Sequence, residues 1–394
     1  MRWDYVTLDK LGSISRGKSK HRPRNDRTLF GGKYPFIQTA DVKAAGLYLN
    51  EYTETYSDKG LAQSKLWPAG TLCITIAANI ADTTILGIDA CFPDSVMGFI
   101  PYEGVSNVKF VKYAFDILQR DCKKISQGTA QDNLSWKKLS TIKFPAPDIK
   151  IQDKIVSILS VYDDLIENNQ KQIKLLEEAA QRLYKEWFVD LRFPGYEDVE
   201  IVDGVPEGWH SGVLGDVAEN SGNNEKKENR EKYAYYLPID CLPKKSLAYI
   251  ESNDVSMAES SLISFKKNDI IFGAMRPYFH KVVIGRDNGL TRSTCFVINS
   301  KTPEYWSYLT MLLFSVDTVN YATRISVGTT MPYVRWKDFV QMPIIIPSED
   351  IACKFGKQFT LISNRITVLA EQNIRLENAR DRLLPKLMSG EIEV

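Results

Sequence analysis

The chain repeats itself. Displaced by 200 positions along its own length, Ile125-Ser126-Gln127-Gly128-Thr129 falls on Ile325-Ser326-Val327-Gly328-Thr329, and Trp136-Lys137 on Trp336-Lys337. Pro147, Ile151 and Lys154 fall on Pro347, Ile351 and Lys354 at the same displacement. So do Gln172, Leu176, Glu177, Ala179, Arg182 and Leu183, which meet Gln372, Leu376, Glu377, Ala379, Arg382 and Leu383. Near the start of each half, Leu11-Gly12 matches Leu214-Gly215 at a slightly different offset. A period this long, present twice, excludes a solenoid and indicates tandem duplication of one unit. Two copies imply pseudo-two-fold symmetry and a partner or substrate with two similar halves. The competing reading is a duplication that serves stability alone.

Each copy ends in a heptad-like stretch. In the first, Ile155, Leu159, Tyr162, Ile166, Asn169, Ile173, Leu176, Ala180, Leu183 and Trp187 alternate spacings of four and three. In the second, Phe355, Phe359, Ile362, Ile366, Leu369, Asn373, Leu376, Arg380, Leu383 and Leu387 stand 200 positions further on. That is the seam of a coiled coil. A buried Asn is costly unless it meets a polar partner. An antiparallel pairing sets Asn169 against Asn373, Trp187 near Phe355 and Tyr162 near Arg380, a cation–π pair. A parallel pairing would set Asn169 against Leu369 and Asn373 against Ile173, so the antiparallel pair is expected. Thirty-three helical residues make a rod of about 50 Å. Two helices packed in a plain bundle is the alternative.

Between the helices, short apolar runs are broken by Gly, Pro, Asn and Asp. Residues 34–39, 71–77, 83–88 and 142–145 read as strands, as do 235–239, 269–272, 281–284 and 294–298. Helices are expected over 111–124 and 303–322. The fold class is therefore α+β: two tandem modules separated by two long helices. The boundaries are 1–150 for the first module, 151–192 for the first helix, 193–347 for the second module and 348–394 for the second helix.

Composition limits the class. With 394 residues, 44% hydrophobic and 25% charged, the chain is an ordinary globular one. No apolar run approaches the length needed to span a bilayer, and Met1-Arg2-Trp3-Asp4 carries no signal-peptide core. Six scattered cysteines without a C-x-x-C pair are expected to be reduced and structural. A cytoplasmic protein is expected.

Net charge is only +1, yet residues 1–150 hold 21 Lys and Arg against 15 Asp and Glu, a net +6. Arg16, Lys18, Lys20, Arg22, Arg24 and Arg27 are opposed only by Asp26 in the densest basic stretch. Such a stretch suits phosphate contact, and equally a solvated loop. The polar segments 126–133 and 326–333 recur at matched places, and their Gln, Asn and Thr side chains carry the donors and acceptors that read base edges. A polar turn closing a hairpin is the plain alternative for each.

Catalytic patterns fail on context. Gly12-Ser13-Ile14-Ser15-Arg16-Gly17-Lys18-Ser19 matches a phosphate loop by letter, but the following Lys20-His21-Arg22-Pro23 is no helix start. His21, His210 and His280 are the only histidines, and none neighbours a cysteine or a second histidine, so no metal site is expected. No nucleophile elbow is present. The chain reads as a binding protein without chemistry of its own.

Gly204-Val205-Pro206-Glu207-Gly208-Trp209, Met275-Arg276-Pro277-Tyr278 and Leu384-Pro385-Lys386-Leu387-Met388-Ser389-Gly390-Glu391 then carry a resemblance. Over nearly its whole length the chain resembles the specificity (S) subunit of type I restriction–modification systems. Trp3-Asp4-Tyr5-Val6 opens the first module more loosely. The resemblance implies that each module is a target recognition domain reading half of a bipartite double-stranded DNA site, with the coiled coil as spacer. It implies docking of two modification (methyltransferase) subunits, and restriction (endonuclease/translocase) subunits beside them. Adenine methylation and cleavage, with S-adenosylmethionine, ATP and Mg, would belong to those partners, and this chain would bind no cofactor or metal and catalyse nothing. Half-sites about 34–45 Å apart are compatible with the rod.

The DNA-binding candidates in the first module are Arg16, Lys18, Lys20, Arg22 and Arg24 for phosphates, with Gln38, Asn79, Gln127, Thr129, Gln131 and Asn133 nearer bases. In the second they are Arg276, Tyr278, His280, Arg292, Arg324, Thr329 and Thr330. The competing functional class is a coiled-coil scaffold whose modules bind other proteins.

Overall fold

The structure is a computed structural model that describes residues 3–76, 82–125 (backbone only from 120 onward) and 139–394. The chain divides into two compact units, Met1–Asp164 with Leu376–Val394, and Leu165–Arg375.

In the first unit, strand Tyr5–Thr7 pairs antiparallel with Lys143–Pro145. One helical turn, Leu8–Leu11, buries both of its leucines and leads into a five-stranded sheet. The order is Gly12–Arg16, Val96–Pro101, Leu72–Thr75, Thr83–Leu86 and Tyr48–Leu49. Leu72–Thr75 and Thr83–Leu86 are buried at every position, which explains their unbroken apolar and β-branched composition. A second, four-stranded sheet runs Glu54–Tyr56, Phe30–Phe36, Ala90–Cys91, Leu66–Trp67. Helix Val108–Ile125 lays Phe110, Val111, Ala114 and Phe115 into one core with Leu139, Phe144, Ile155, Leu159, Leu384 and Leu387. Here the start of the first long helix and the end of the second share a core, as antiparallel packing requires.

The second unit repeats this plan. Strand His210–Val213 pairs antiparallel with Pro343–Ile346. The helical turn Leu214–Val217 buries Leu214 and Val217, then enters a sheet ordered Ala218–Asn220, Cys295–Ser300, Ile270–Gly273, Val282–Ile284. That is the order of the first four strands of the other large sheet. A three-stranded sheet, Asn223–Glu225, Leu262–Phe265, Gly289–Arg292, stands in place of the four-stranded one.

The matched turns correct the sequence alignment. Leu8–Leu11 corresponds to Leu214–Val217, so Leu8 stands with Leu214 at an offset of 206, and Leu11-Gly12 is not the partner of Leu214-Gly215. Two boundary expectations also change. Residues 235–239 form no strand: Pro238 has no N–H to give a ladder, Tyr236 makes only isolated bridges to Asn253 and Leu290, and Ile239–Cys241 is one 3₁₀ turn. Residues 303–322 form two helices, Trp306–Leu313 and Val316–Ile325, because Ser315 caps the second by accepting from the Thr318 N–H.

The long helices are Ile149–Tyr184, continued by a π-helical turn Lys185–Val189, and Glu349–Ser389. All twenty seam positions from Ile155 to Leu387 are buried or half-buried. Within the second unit, Asn169 Nδ2 donates to Asn373 Oδ1 at 2.9 Å, and the rings of Trp187 and Phe355 meet edge-to-face at 5.8 Å. Within the first unit, the Tyr162–Arg380 cation–π pair is replaced. Arg380 Nη1 donates to Asp163 Oδ1 at 2.6 Å, and Tyr113 Oη donates to Asp163 Oδ2 at 2.5 Å. A buried carboxylate one position along the helix offers the guanidinium a stronger partner than a ring face.

Candidate nucleic-acid interface

The basic stretch of the first module begins at the end of a strand. The Gly17 N–H donates to the Val96 carbonyl at 2.9 Å and the Lys18 N–H to that of Phe92 at 3.1 Å, so the backbone is pinned to the sheet. Gly12 belongs to the strand itself: a Cβ there would lie 2.3 Å from the Ile100 carbonyl oxygen. The glycine of the phosphate-loop lookalike thus permits close strand packing, and Gly12–Arg16 pairs with Val96–Pro101 with no helix following.

From this anchored backbone Arg16, Lys18, Lys20, Arg22 and Arg24 are all exposed. They are not equally available. Arg24 Nη2 is bidentate to Asp94 at 2.9 and 3.1 Å. Arg22 Nη1 donates to the carbonyls of Ser19 and His21 at 2.7 and 2.8 Å. Asp26, the one acid in the stretch, is occupied locally. It accepts from the hydroxyl and N–H of Thr28 and from the His21 ring, and these bonds hold its carboxyl at about 2. It therefore stays ionised without pairing with Arg16, Lys18 or Lys20, for which no carboxylate partner stands among the described residues.

Gln38 sits elsewhere in its module, half-buried at the start of helix Thr39–Ala44. Its amide donates to Glu54 at 2.6 Å and its N–H to Asp41 at 2.7 Å, so its donor is used within the fold. Asn79, Gln127, Thr129, Gln131 and Asn133 lie outside the described residues.

In the second module three segments converge. The Arg276 N–H donates to the Pro332 carbonyl at 2.7 Å, and its Nη2 donates to the Thr330 carbonyl at 3.2 Å. The Ala274 N–H reaches the Thr294 carbonyl at 3.0 Å, and Tyr333 Oη reaches that of Ser293 at 3.4 Å. Segments 274–280, 292–294 and 326–333 are thereby tied together, which gathers Arg276, Arg292, Thr329 and Thr330. Segment 326–333 closes on itself through reciprocal bonds between Val327 and Tyr333, with Gly328 at φ +103°, a conformation that favours glycine. The tip is solvent-facing: Thr329 and Thr330 are exposed, as are Val327 and Met331 at 51% and 52%. Hydroxyls beside apolar groups can meet both the polar edge of a base and a thymine methyl.

Arg276 adopts a left-handed backbone, φ +50°, and so does His280 at φ +52°, on either side of the turn Pro277–Phe279. Non-glycine residues rarely hold this conformation unless their surroundings enforce it. The turn lifts Tyr278 into solvent, 49% exposed, and packs against helix Val316–Ile325, whose Arg324 is exposed over the Tyr321 ring at 5.3 Å.

His280 is a correction. Its ring is buried, Nε2 bonds to the Phe314 carbonyl at 3.0 Å, and burial holds its pKa below the usual imidazole value. A neutral, covered ring cannot meet a phosphate. Sequence reasoning also passed over Lys226, Lys227 and Lys232. All three are exposed, though Lys227 pairs with Glu259, and they follow strand Asn223–Glu225 as the basic stretch follows Gly12–Arg16 in the other module. Their interleaved Glu225, Glu228 and Glu231 hid them from a charge count, and only the matched topology singles them out.

Among the described residues no group of His, Cys, Asp and Glu could hold a metal ion, and no helix is long and apolar enough to cross a membrane. Five cysteines (Cys73, Cys91, Cys241, Cys295 and Cys353) are free thiols.

Comparison with known proteins agrees with this architecture. The family model "Type I restriction modification DNA specificity domain" matches twice, at residues 2–178 and 206–378. The chain is 28% identical over 416 aligned residues to the type I restriction enzyme MjaIX specificity subunit of Methanocaldococcus jannaschii, covering 100% of this chain and 94% of that one. It is 24% identical over 327 residues to the type I restriction enzyme HindI specificity subunit of Haemophilus influenzae, covering 66% and 71%. Among solved structures, the type I restriction–modification S subunit from M. genitalium has the same fold, with a TM-score of 0.54 at 16% identity, covering 98% of this chain and 96% of that one.

Proposed function

The chain belongs to the type I restriction–modification DNA specificity family, and from that premise we propose that it reads a bipartite double-stranded DNA target, one half with each module. The observation that carries this reading is the duplicated strand order, Gly12–Arg16 to Thr83–Leu86 in one module and Ala218–Asn220 to Val282–Ile284 in the other. Two readers of the same build suit two half-sites. In the first module, Arg16, Lys18 and Lys20 serve phosphates. In the second, Lys226, Lys232, Arg292 and Arg324 do so, while Thr329, Thr330 and Tyr278 approach bases. Phosphate contacts fix position and base contacts specify sequence.

The chain itself performs no reaction and holds no cofactor. Adenine methylation with S-adenosylmethionine, and ATP- and Mg-dependent cleavage, belong to two modification subunits and to restriction subunits that assemble on it. Paired long helices set the length of the unread gap. The test is to profile methylated adenines in cells carrying the modification subunit with and without this chain. A two-part motif with a constant gap is expected only when the chain is present. Removing one heptad from each long helix should shorten that gap and leave both half-site sequences as they were. Methylation independent of the chain, or a gap indifferent to helix length, overturns the reading.

A further inference from the structure

Glu177 lies on the first long helix and is 5% exposed. A carboxylate is a poor choice for a covered position unless something there demands an acceptor. Its Oε1 accepts from Ser246 Oγ at 2.7 Å and from the Leu247 N–H at 2.7 Å, while the Ala248 N–H donates to Ser246 Oγ at 3.3 Å. Residues 245–248 belong to no helix or strand, so their backbone groups depend on such partners. Burial pushes the Glu177 carboxyl up to about 7 against these bonds, which favour the charged form.

The same short segment reaches the proposed reading surface. The Lys245 N–H donates to the His280 carbonyl at 2.8 Å, and the Leu247 carbonyl accepts from the Ile284 N–H at 3.1 Å. His280 closes the left-handed turn that begins at Arg276 and presents Tyr278. Ile284 ends the strand paired with Ile270–Gly273, from which that turn departs. One carboxylate on the helix thus connects, through a single irregular segment, to the C-terminal end of the turn that holds Arg276 and Tyr278 and to the strand that follows it. Both halves of the sequence carry this pair of residues at the 200-residue displacement, Glu177 with Leu247 and Glu377 with Leu47.

We propose that Glu177 is a positioning residue for DNA recognition: it fixes the reading turn 276–280 to the spacer helix, and so sets which gap length the second module accepts. The inference rests on the DNA-reading function proposed above. It differs from a purely stabilising role in what it predicts for selectivity. Loosening the joint relaxes the choice of gap, while the bases read by the second module stay the same.

The experiment uses the full chain assembled with its modification subunits, as wild type, Glu177→Ala, Glu177→Gln and Ser246→Ala, and reads the methylated-adenine profile. The ratio of methylation at the native gap to that at gaps one base pair longer or shorter should fall about tenfold in Glu177→Ala, with both half-site sequences unchanged. Glu177→Gln, whose amide oxygen accepts the same two bonds, should keep the wild-type ratio, and Ser246→Ala should fall between. An equal loss at all gaps, an unchanged ratio in Glu177→Ala, or a Gln variant as relaxed as the Ala variant overturns the proposal. Should Glu177→Ala fail to fold, an unchanged ratio in Ser246→Ala overturns it and a reduced one upholds it. A wild-type chain that directs no methylation sinks the DNA-reading function instead, a result distinct from normal wild-type methylation with unaltered variants.

Discussion

Asn169 and Asn373 face each other across the two long helices, the Nδ2 of the first donating to the Oδ1 of the second at 2.9 Å, with both residues buried. Asn373 also points its own Nδ2 at the Ile166 carbonyl, 3.5 Å away. Around them the layer is apolar: Ile173, Ile366 and Leu369 form one cluster. A polar pair in such surroundings selects one register, because any slip leaves each amide against a hydrocarbon.

Replacing one member should therefore do more harm than replacing both. Asn169→Leu strands the Asn373 amide and should cost about 1–3 kcal/mol in denaturant unfolding. The double Leu variant should recover most of that loss. A double variant as damaged as the sum of the singles would mean that the amides are not partners.

Asp163 presents a sharper case in the first unit, since it accepts from both Arg380 and Tyr113 and its side chain is 6% exposed. Asp163→Ala leaves the buried Tyr113 phenol without its acceptor and the half-buried Arg380 guanidinium with Asp381 alone, and should destabilise by about 3 kcal/mol. Adding Arg380→Ala should cost little more, a coupling that a double-mutant cycle measures.

At the other end, Phe355 stacks on Phe359 and meets Trp187 and Phe188 edge-on, with ring centroids 4.9–5.9 Å apart. Phe355→Ala opens a cavity in the core shared by the helix and the second module, and should cost about 3–5 kcal/mol. Thermal unfolding followed by circular dichroism reads the loss.

Glu177 gives stability a pH dependence of unusual sign. Its ordinary value is 4.5 and burial raises it to about 7. Between those values the folded chain retains a proton that the unfolded chain has released, so this residue makes stability fall as pH rises through that window. Glu177→Gln removes the slope. The stability of the Gln variant relative to wild type should therefore grow from pH 4.5 to 7. A difference independent of pH would mean that the carboxyl titrates normally.

DNA binding should separate phosphate from base contacts. Lys18→Ala should weaken every sequence alike and reduce the slope of log K against log salt by about 0.9. Thr330→Ala should cost about 1–3 kcal/mol at one base pair. Arg24→Ala should do less than Lys18→Ala, because Arg24 already pairs with Asp94. Equal losses from Arg24→Ala and Lys18→Ala, in titrations at several salt concentrations, would overturn that ranking.

What the residues alone determined follows from periodicity. The 200-residue displacement, the seam from Ile155 to Leu387 and the opposed asparagines are all written in spacing. Spacing translates directly into helical faces, and a buried amide admits few partners. Tertiary structure decided whatever depends on distant neighbours. His280 looked available until Phe314 covered it, and Gln38 looked free until Glu54 took its amide. Glu177 was legible only as a repeated residue until residues 246 and 247 supplied its donors. The lysines of 226–232 gained meaning only from the strand they follow. Burial and hydrogen-bond partners come from residues far away in the chain, and no local pattern encodes them.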